Sequence, residues 1–343
     1  MKIMDKIKIG IIISLAGFLL LRPALSDDTR PELTVYTYDS FAADWGPGPQ
    51  IKAAFEQECE CILSFVGIDT SLGILGRIRL EGQNSKADVI LGLDTAQSDI
   101  ARKTGLLAPH NMDTISDHLD LPQAVGDWND PYFVPFDWGF FAFVYDQSKL
   151  SQIPMSMEEL ITTNDDLRIV IQDPRTSTPG FGLMLWLKSL YDDDAASKWQ
   201  ALSPKIVTVT KGWSEAYGLF LDGEADMVLS YTTSPAYHRL AESQTQYQYA
   251  RFAEGHYMQI EVAAMLASSD QPELAQSFLA FLLSDKVQNV IPTTNWMYPT
   301  AKGIALPDGF ETAAKPSGLL LNDKYIATNQ NDWLKEWVMA LSQ

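Results

Sequence analysis

Two long apolar runs, YFVPFDWGFFAFVY at 132–145 and YMQIEVAAML at 257–266, constrain the fold of this chain more than any other feature. Both are dense in β-forming residues, and neither approaches the roughly 20 unbroken apolar residues of a membrane span. Pro135 and Gly139 divide the first run, which therefore reads as two strand pieces. Between the runs lies a self-contained stretch of alternating strand and helix patterns. If both runs cross between lobes, the two chain ends share one lobe and the middle of the chain forms the other. The predicted fold is α/β and bilobal, with an interlobe cleft above the hinges. The expected boundaries are 27–140 together with 262–343 for the discontinuous lobe, and 141–261 for the middle lobe.

The local patterns support an α/β class. Strands are predicted at 33–40, 61–66, 87–92, 168–172, 206–210 and 225–230. Helices are predicted at 50–58, 73–81, 98–104, 157–161, 181–191, 214–221, 272–283 and 331–341. The stretch after YTTSP reads as a polar connection. Ahead of all these elements, MKIMDKIK carries three lysines and is followed by an apolar core at 9–21. Ala24 and Ser26 are spaced like the small residues of a signal-peptidase site, so 1–26 reads as an export signal cut near Ser26. Cleavage there removes Lys2, Lys6, Lys8, Arg22 and Asp5, moving the formal charge from −19 to −22. Such acidity disfavours phosphate-backbone contacts, so no nucleic-acid partner is expected. Periplasmic location follows from the signal.

Cys59 and Cys61 are too few for a disulfide framework. Their spacing is compatible with local packing or a small surface disulfide, and with a nucleophilic cysteine if the chain were an enzyme. The four histidines, His110, His118, His238 and His256, form no metal-spaced motif. No serine-nucleophile elbow or dinucleotide loop is present, so reversible capture of a ligand is favoured over catalysis, with no cofactor expected.

Five loops combine aromatic residues with hydroxyls or glycine: YDSFAADW, DPRTSTPG, KGW, SYTTSP and NWMY. Most follow a predicted strand, the usual location of ligand sites in α/β lobes. Tyr38, Trp45, Trp213, Tyr231 and Trp296 are the candidate aromatic walls. Asp39 and Asp44 face water or attract a cation. Ser177 and Thr178 precede Pro179, so either can cap a helix, and the backbone donors there suit an anion. Thr232, Thr233 and Ser234 form a second hydroxyl group at a strand end.

The stretches LTVYTYDSFAADWGPGP, SKADVILGLD, VPFDWGFFAFVYD, QDPRTSTPG, TVTKGWSEAYGLF, VLSYTTSPAY and IPTTNWMYP resemble the periplasmic thiamine-binding components of bacterial ABC importers. The similarity spans roughly 33–343. It implies the periplasmic-binding-protein fold and capture of thiamine, thiamine monophosphate and thiamine diphosphate. It further implies delivery by a monomer to an inner-membrane permease served by a separate ATPase subunit. By this resemblance Tyr38, Trp45, Trp213, Tyr231 and Trp296 shape the aromatic site. Ser177, Thr178, Thr232, Thr233, Ser234 and the backbone at Pro235 make polar or phosphate contacts. The loop Asp69-Thr70-Ser71 corresponds to a ligand-contacting loop but departs from the family's acidic-glycine pattern.

Three other readings need different residues. An Fe(III)-binding protein on a similar scaffold requires convergent tyrosinate or carboxylate ligands, whereas this loop reads Tyr231-Thr232 rather than paired tyrosines. A thiaminase-like enzyme would use Cys59 or Cys61 with a general base, for which no local pattern exists. A polyamine-binding protein is compatible with the acidity.

Overall fold

The computed structural model describes residues 30–113, 115–162 and 166–342; the segment read as an export signal, 1–26, lies outside them. β1 (Glu32–Tyr38) leads through α1 (Asp39–Ala42) and α2 (Gly48–Cys59) to β2 (Ile62–Ile68). α3 (Ser71–Glu81) returns to β3 (Val89–Asp94), and α4 (Ser98–Lys103) and β4 (Leu107–Ala108) precede the long β5 (Val134–Asp146). The middle of the chain runs α5 (Met157–Thr162), β6 (Ile169–Gln172), α6 (Thr178–Tyr191), α7 (Ala195–Leu202) and β7 (Ile206–Thr210). It continues with α8 (Trp213–Leu221), β8 (Met227–Tyr231), α9 (Ser234–Ala241) and β9 (Tyr247–Tyr249). β10 (His256–Leu266) closes this excursion, followed by α10 (Pro272–Leu282), α11 (Asp285–Gln288) and α12 (Ile291–Thr294). Two short strands, β11 (Tyr298–Pro299) and β12 (Gly318–Leu319), then lead to α13 (Asp323–Leu341).

The main sheet has the order β2-β1-β3-β10-β5-β8-β6-β7. At each end the strands are parallel: β1 with β2 and β3, and β6 with β7 and β8. In the centre β10 runs antiparallel to β3 and β5, and β5 antiparallel to β8. β5 serves both halves. Its residues 134–140 pair with β10, and its residues 141–145 pair with β8.

β5 is thus one 13-residue strand, where the sequence predicts two pieces. Pro135 is tolerated because it sits at a bulge: Glu261 faces Asp137 and Val262 faces Pro135, which leaves Phe136 as the extra residue. Gly139 is accommodated for another reason, since a Cβ there would lie 2.7 Å from Met297 Cε.

Each half has its own core. Leu33, Val35, Phe41, Leu63, Phe136 and Phe278 form one under the terminal strands, and Phe141, Leu183, Trp186, Trp199 and Leu229 form another in the middle of the chain. α13 belongs to both halves. Its capping residue Asn322 accepts a hydrogen bond from Lys324 N at 3.1 Å, which starts the helix well before the predicted 331. Trp333 and Trp337, four residues apart on one face, enter the middle core, where Trp337 meets Trp199 edge-on at 6.5 Å. Lys188 pairs with Glu336 at 2.5 Å, and Asp323 pairs with Arg102 of α4.

α9 occupies the stretch that reads as a polar connection. Its buried face consists of Ser234, Pro235, Ala236 and His238, residues without an apolar period, and His238 stacks on Tyr247 at 3.9 Å. Cys59 and Cys61 are joined in a disulfide with Cα atoms 5.1 Å apart, across Glu60 in the left-handed region at φ 51°.

Gly92 of β3 has φ 101°, and a Cβ at this position would lie 2.4 Å from the Tyr38 ring. The Gly92→Ala variant combines an unfavourable backbone with overpacking, so it should lose about 2–4 kcal/mol of stability in urea denaturation.

Candidate functional site

The loops at the carboxyl ends of β1, β2, β6, β7 and β8 open on a cleft of about 930 Å³. Eleven of the fourteen candidate residues line it: Tyr38, Trp45, Asp69, Thr70, Ser71, Ser177, Thr178, Trp213, Tyr231, Ser234 and Trp296. They converge although they are spread over more than 250 positions, because parallel α/β units place every strand-to-helix loop on one edge.

The walls are aromatic. Tyr38 ends β1, half-buried, and Trp213 opens α8 with its Nε1 donating to Ser230 Oγ at 2.8 Å. The Trp213 ring lies 5.0 Å from Tyr217 at an interplanar angle of 31°. Trp45 is 61% exposed and stands in the lining as an uncovered apolar ring. Trp296 follows α12 at φ 56°, a left-handed position usually given to glycine or asparagine. Its ring meets Tyr237 edge-on at 5.4 Å. A bulky residue held in this backbone region is under strain, and here the strained residue carries a cleft wall.

Four helices begin at the cleft. Ser71, Thr178, Trp213 and Ser234 are the first residues of α3, α6, α8 and α9, and all four line it. Thr70 caps α3 through Oγ1, which accepts from Gly73 N at 3.2 Å. Ser177, at the cap position of α6, makes no side-chain capping hydrogen bond. The positive ends of these helices make this part of the cleft receptive to an anion. Across the cleft Ser71 Oγ meets Thr178 Oγ1, and Lys211 Nζ meets Asp69. The hydrogen bond from Lys211 holds the Asp69 carboxyl below its ordinary pKa. Asp69, expected at the ligand by resemblance, therefore has Lys211 as its partner in this structure.

Thr232, Thr233 and Pro235 are outside the cleft lining. The first turn of α9 buries them, and Thr232 and Pro235 line a small separate hollow beside Arg239, Tyr249 and Tyr298. The hydroxyl of Thr233 is buried without a hydrogen-bond partner.

The sequence reading misses Tyr237, Asn295 and Glu261 as lining residues. The first two fall inside recognised motifs but behind more conspicuous neighbours. Glu261 and Asp137 carry a signal of their own, since each is an acid in the interior of a largely apolar strand. Tyr38 donates to Glu261 Oε2 at 2.7 Å, and Gln259 Nε2 donates to Glu261 Oε1 at 2.6 Å. Asn295 Nδ2 donates to Tyr38 Oη at 3.0 Å and to Asp137 Oδ2 at 2.5 Å. Tyr231 donates to Gln259 Oε1 at 2.7 Å, so one hydrogen-bonded chain runs across the floor from Tyr231 to Asp137. Among the described residues no group of three or more His, Cys, Asp or Glu is arranged to hold a metal ion.

A bilobal α/β scaffold with an aromatic interlobe cleft is the architecture of a solute receptor. The chain belongs to the bacterial extracellular solute-binding protein family, whose pattern matches residues 53–289. It is 55% identical over 315 residues to the thiamine-binding periplasmic protein of Escherichia coli strain K12, covering 92% of this chain and 94% of that one. It is 52% identical to the thiamine-binding periplasmic protein of Salmonella typhimurium, covering 95% and 98%. A solved periplasmic thiamin binding protein superposes with a TM-score of 0.88 at 55% identity, covering 92% of this chain and 97% of that one. The ferric binding protein from Campylobacter jejuni shares the fold, with a TM-score of 0.75 at 18% identity over 90% of this chain and 99% of that one.

Substituting Trp296 separates its backbone from its ring. Trp296→Gly should be more stable than Trp296→Ala by about 1 kcal/mol in urea denaturation, because only alanine keeps the left-handed strain.

Proposed function

We propose that this protein captures thiamine in the periplasm and delivers it to an ABC importer. The observation that carries this reading is the polarity of the cleft. Aromatic walls and an acidic floor suit a cationic heteroaromatic ring, and four helix N-termini suit an anionic tail. Thiamine has a thiazolium cation, an aminopyrimidine and a hydroxyethyl arm. Trp213, Trp296 and Tyr231 pack against the rings, with cation–π contacts of about 0.5–2 kcal/mol each. The phosphates of thiamine monophosphate and diphosphate, which belong to the same proposal, reach Ser177, Thr178 and the first turn of α6. Asp69, Thr70, Ser71 and Ser234 complete the polar side, while Thr232, Thr233 and Pro235 support it from the first turn of α9.

The halves hinge where β5 and β10 cross between them, with lobes near 27–140 plus 262–343 and 141–261. Closure brings Ser71 to Thr178 and Lys211 to Asp69, and presents one face to the permease. The protein acts as a monomer after removal of residues 1–26 near Ser26, and ATP is consumed by a separate subunit.

Calorimetry on ligand-stripped protein with thiamine, its two phosphate esters, spermidine and Fe(III) tests the reading. Submicromolar binding confined to the thiamine forms is expected, and failure of all three would refute it. Trp213→Ala should weaken all three forms by roughly tenfold or more. Ser177→Ala should weaken the phosphorylated forms more than thiamine itself.

A further inference from the structure

Glu261 in the cleft lining, with two buried acids beside it, is explained by neither the aromatic walls nor the helix ends. Asp94, Glu261 and Asp137 occupy facing positions on adjacent strands, since Glu261 of β10 pairs with Asp94 of β3 on one side and Asp137 of β5 on the other. Like charges directly opposite one another destabilise a sheet, so another constraint must maintain this row. The β5 ladder bulges immediately beyond Glu261, with Phe136 as the extra residue, and the β3 ladder bulges one residue further on, beyond Val262, with Gly92 as the extra residue. Bulges re-aim side chains, and Glu261 lines the cleft although only 6% exposed. Asp137 is 0% exposed, and its Oδ1 has no hydrogen-bond partner.

Among the described residues no Lys or Arg answers these carboxyls. Lys211 is the one Lys or Arg among the described lining residues, and its partner is Asp69. The groups facing Glu261 are Tyr38 of β1, Asp94 of β3, Asp137 of β5, Gln259 of its own strand and, through Gln259, Tyr231 of β8. All are neutral or acidic. Burial lifts Asp94 to about 7 and Asp137 to about 8. Burial, then the neighbouring Asp137, raises Glu261 well above the carboxylate range.

We propose that Glu261, backed by Asp137, selects the ligand's positive charge: the pair holds a proton while the cleft is empty and releases it to solvent when a fixed cation settles on the floor. One O–H bond breaks, its electron pair stays on the carboxylate, and the proton passes to the buffer. The carboxylate is already served by the donors it needs, Tyr38 and Gln259. Asp137, which faces Glu261 and has one oxygen without a hydrogen-bond partner, gains a cation nearby in the filled site. Selectivity follows, because a neutral analogue leaves the proton in place and gains no ion pair. This inference deepens the thiamine reading and rests on it.

The complex holds fewer protons than the empty protein, so affinity should rise with pH for as long as the empty pair still holds its proton. Calorimetry with thiamine near neutral pH, in buffers of different ionisation enthalpy, counts the protons. The expected result is release of about one proton per thiamine bound by the unmodified protein. Glu261→Gln should release none and bind roughly ten- to a hundredfold more weakly. Binding by the unmodified protein without proton release would overturn the inference and leave the thiamine reading standing. So would a Glu261→Gln variant that releases as many protons. Absence of any thiamine binding would overturn both. Should Glu261→Gln fail to fold, the proton count and pH profile of the unmodified protein decide the matter alone.

Discussion

The antiparallel pairing of β5 with β10 is the constraint on which the rest of the structure depends. Both strands are buried almost throughout, so the sheet cannot open along this seam without exposing the centre of the molecule. β5 changes partner between Phe140 and Phe141, from β10 to β8, and so carries the chain from one half to the other. The parallel α/β units on either side then face each other across the seam with their strand ends exposed. The cleft is a consequence of that change of partner.

The same geometry separates charge within the cleft. Strand-to-helix turns bring helix N-termini to the upper loops, where unpaired backbone N–H groups favour an anion. The seam supplies the floor, where facing positions on three strands bring acids together. A protein with a formal charge of −19 thus has a cleft with a positive-leaning rim and an acidic base. Net charge describes the field of the whole molecule, whereas local placement describes the ligand.

Much of this was legible in the residues. Alternating apolar periods marked the elements of both halves, and aromatic-hydroxyl loops marked the strand ends that line the cleft. The misses have physical causes. Pro135 looked like a strand breaker because a bulge that excuses its missing N–H depends on the partner strand. α9 was hidden because its buried face is made of serine, proline, alanine and histidine. Thr232 and Thr233 looked like anion ligands by composition, yet the turn that places Ser234 at the cleft buries them.

Sequence alone determined the α/β class and the aromatic, hydroxyl-rich chemistry of the loops. These follow from local periodicity and residue type, which any short window reveals. Tertiary structure decided which residues meet. Asp94, Asp137 and Glu261 are far apart in the chain and become neighbours only through strand register, and Lys211 finds Asp69 only when the two halves face each other. Register and closure are long-range properties, set by how the buried strands pack, so no local pattern encodes them.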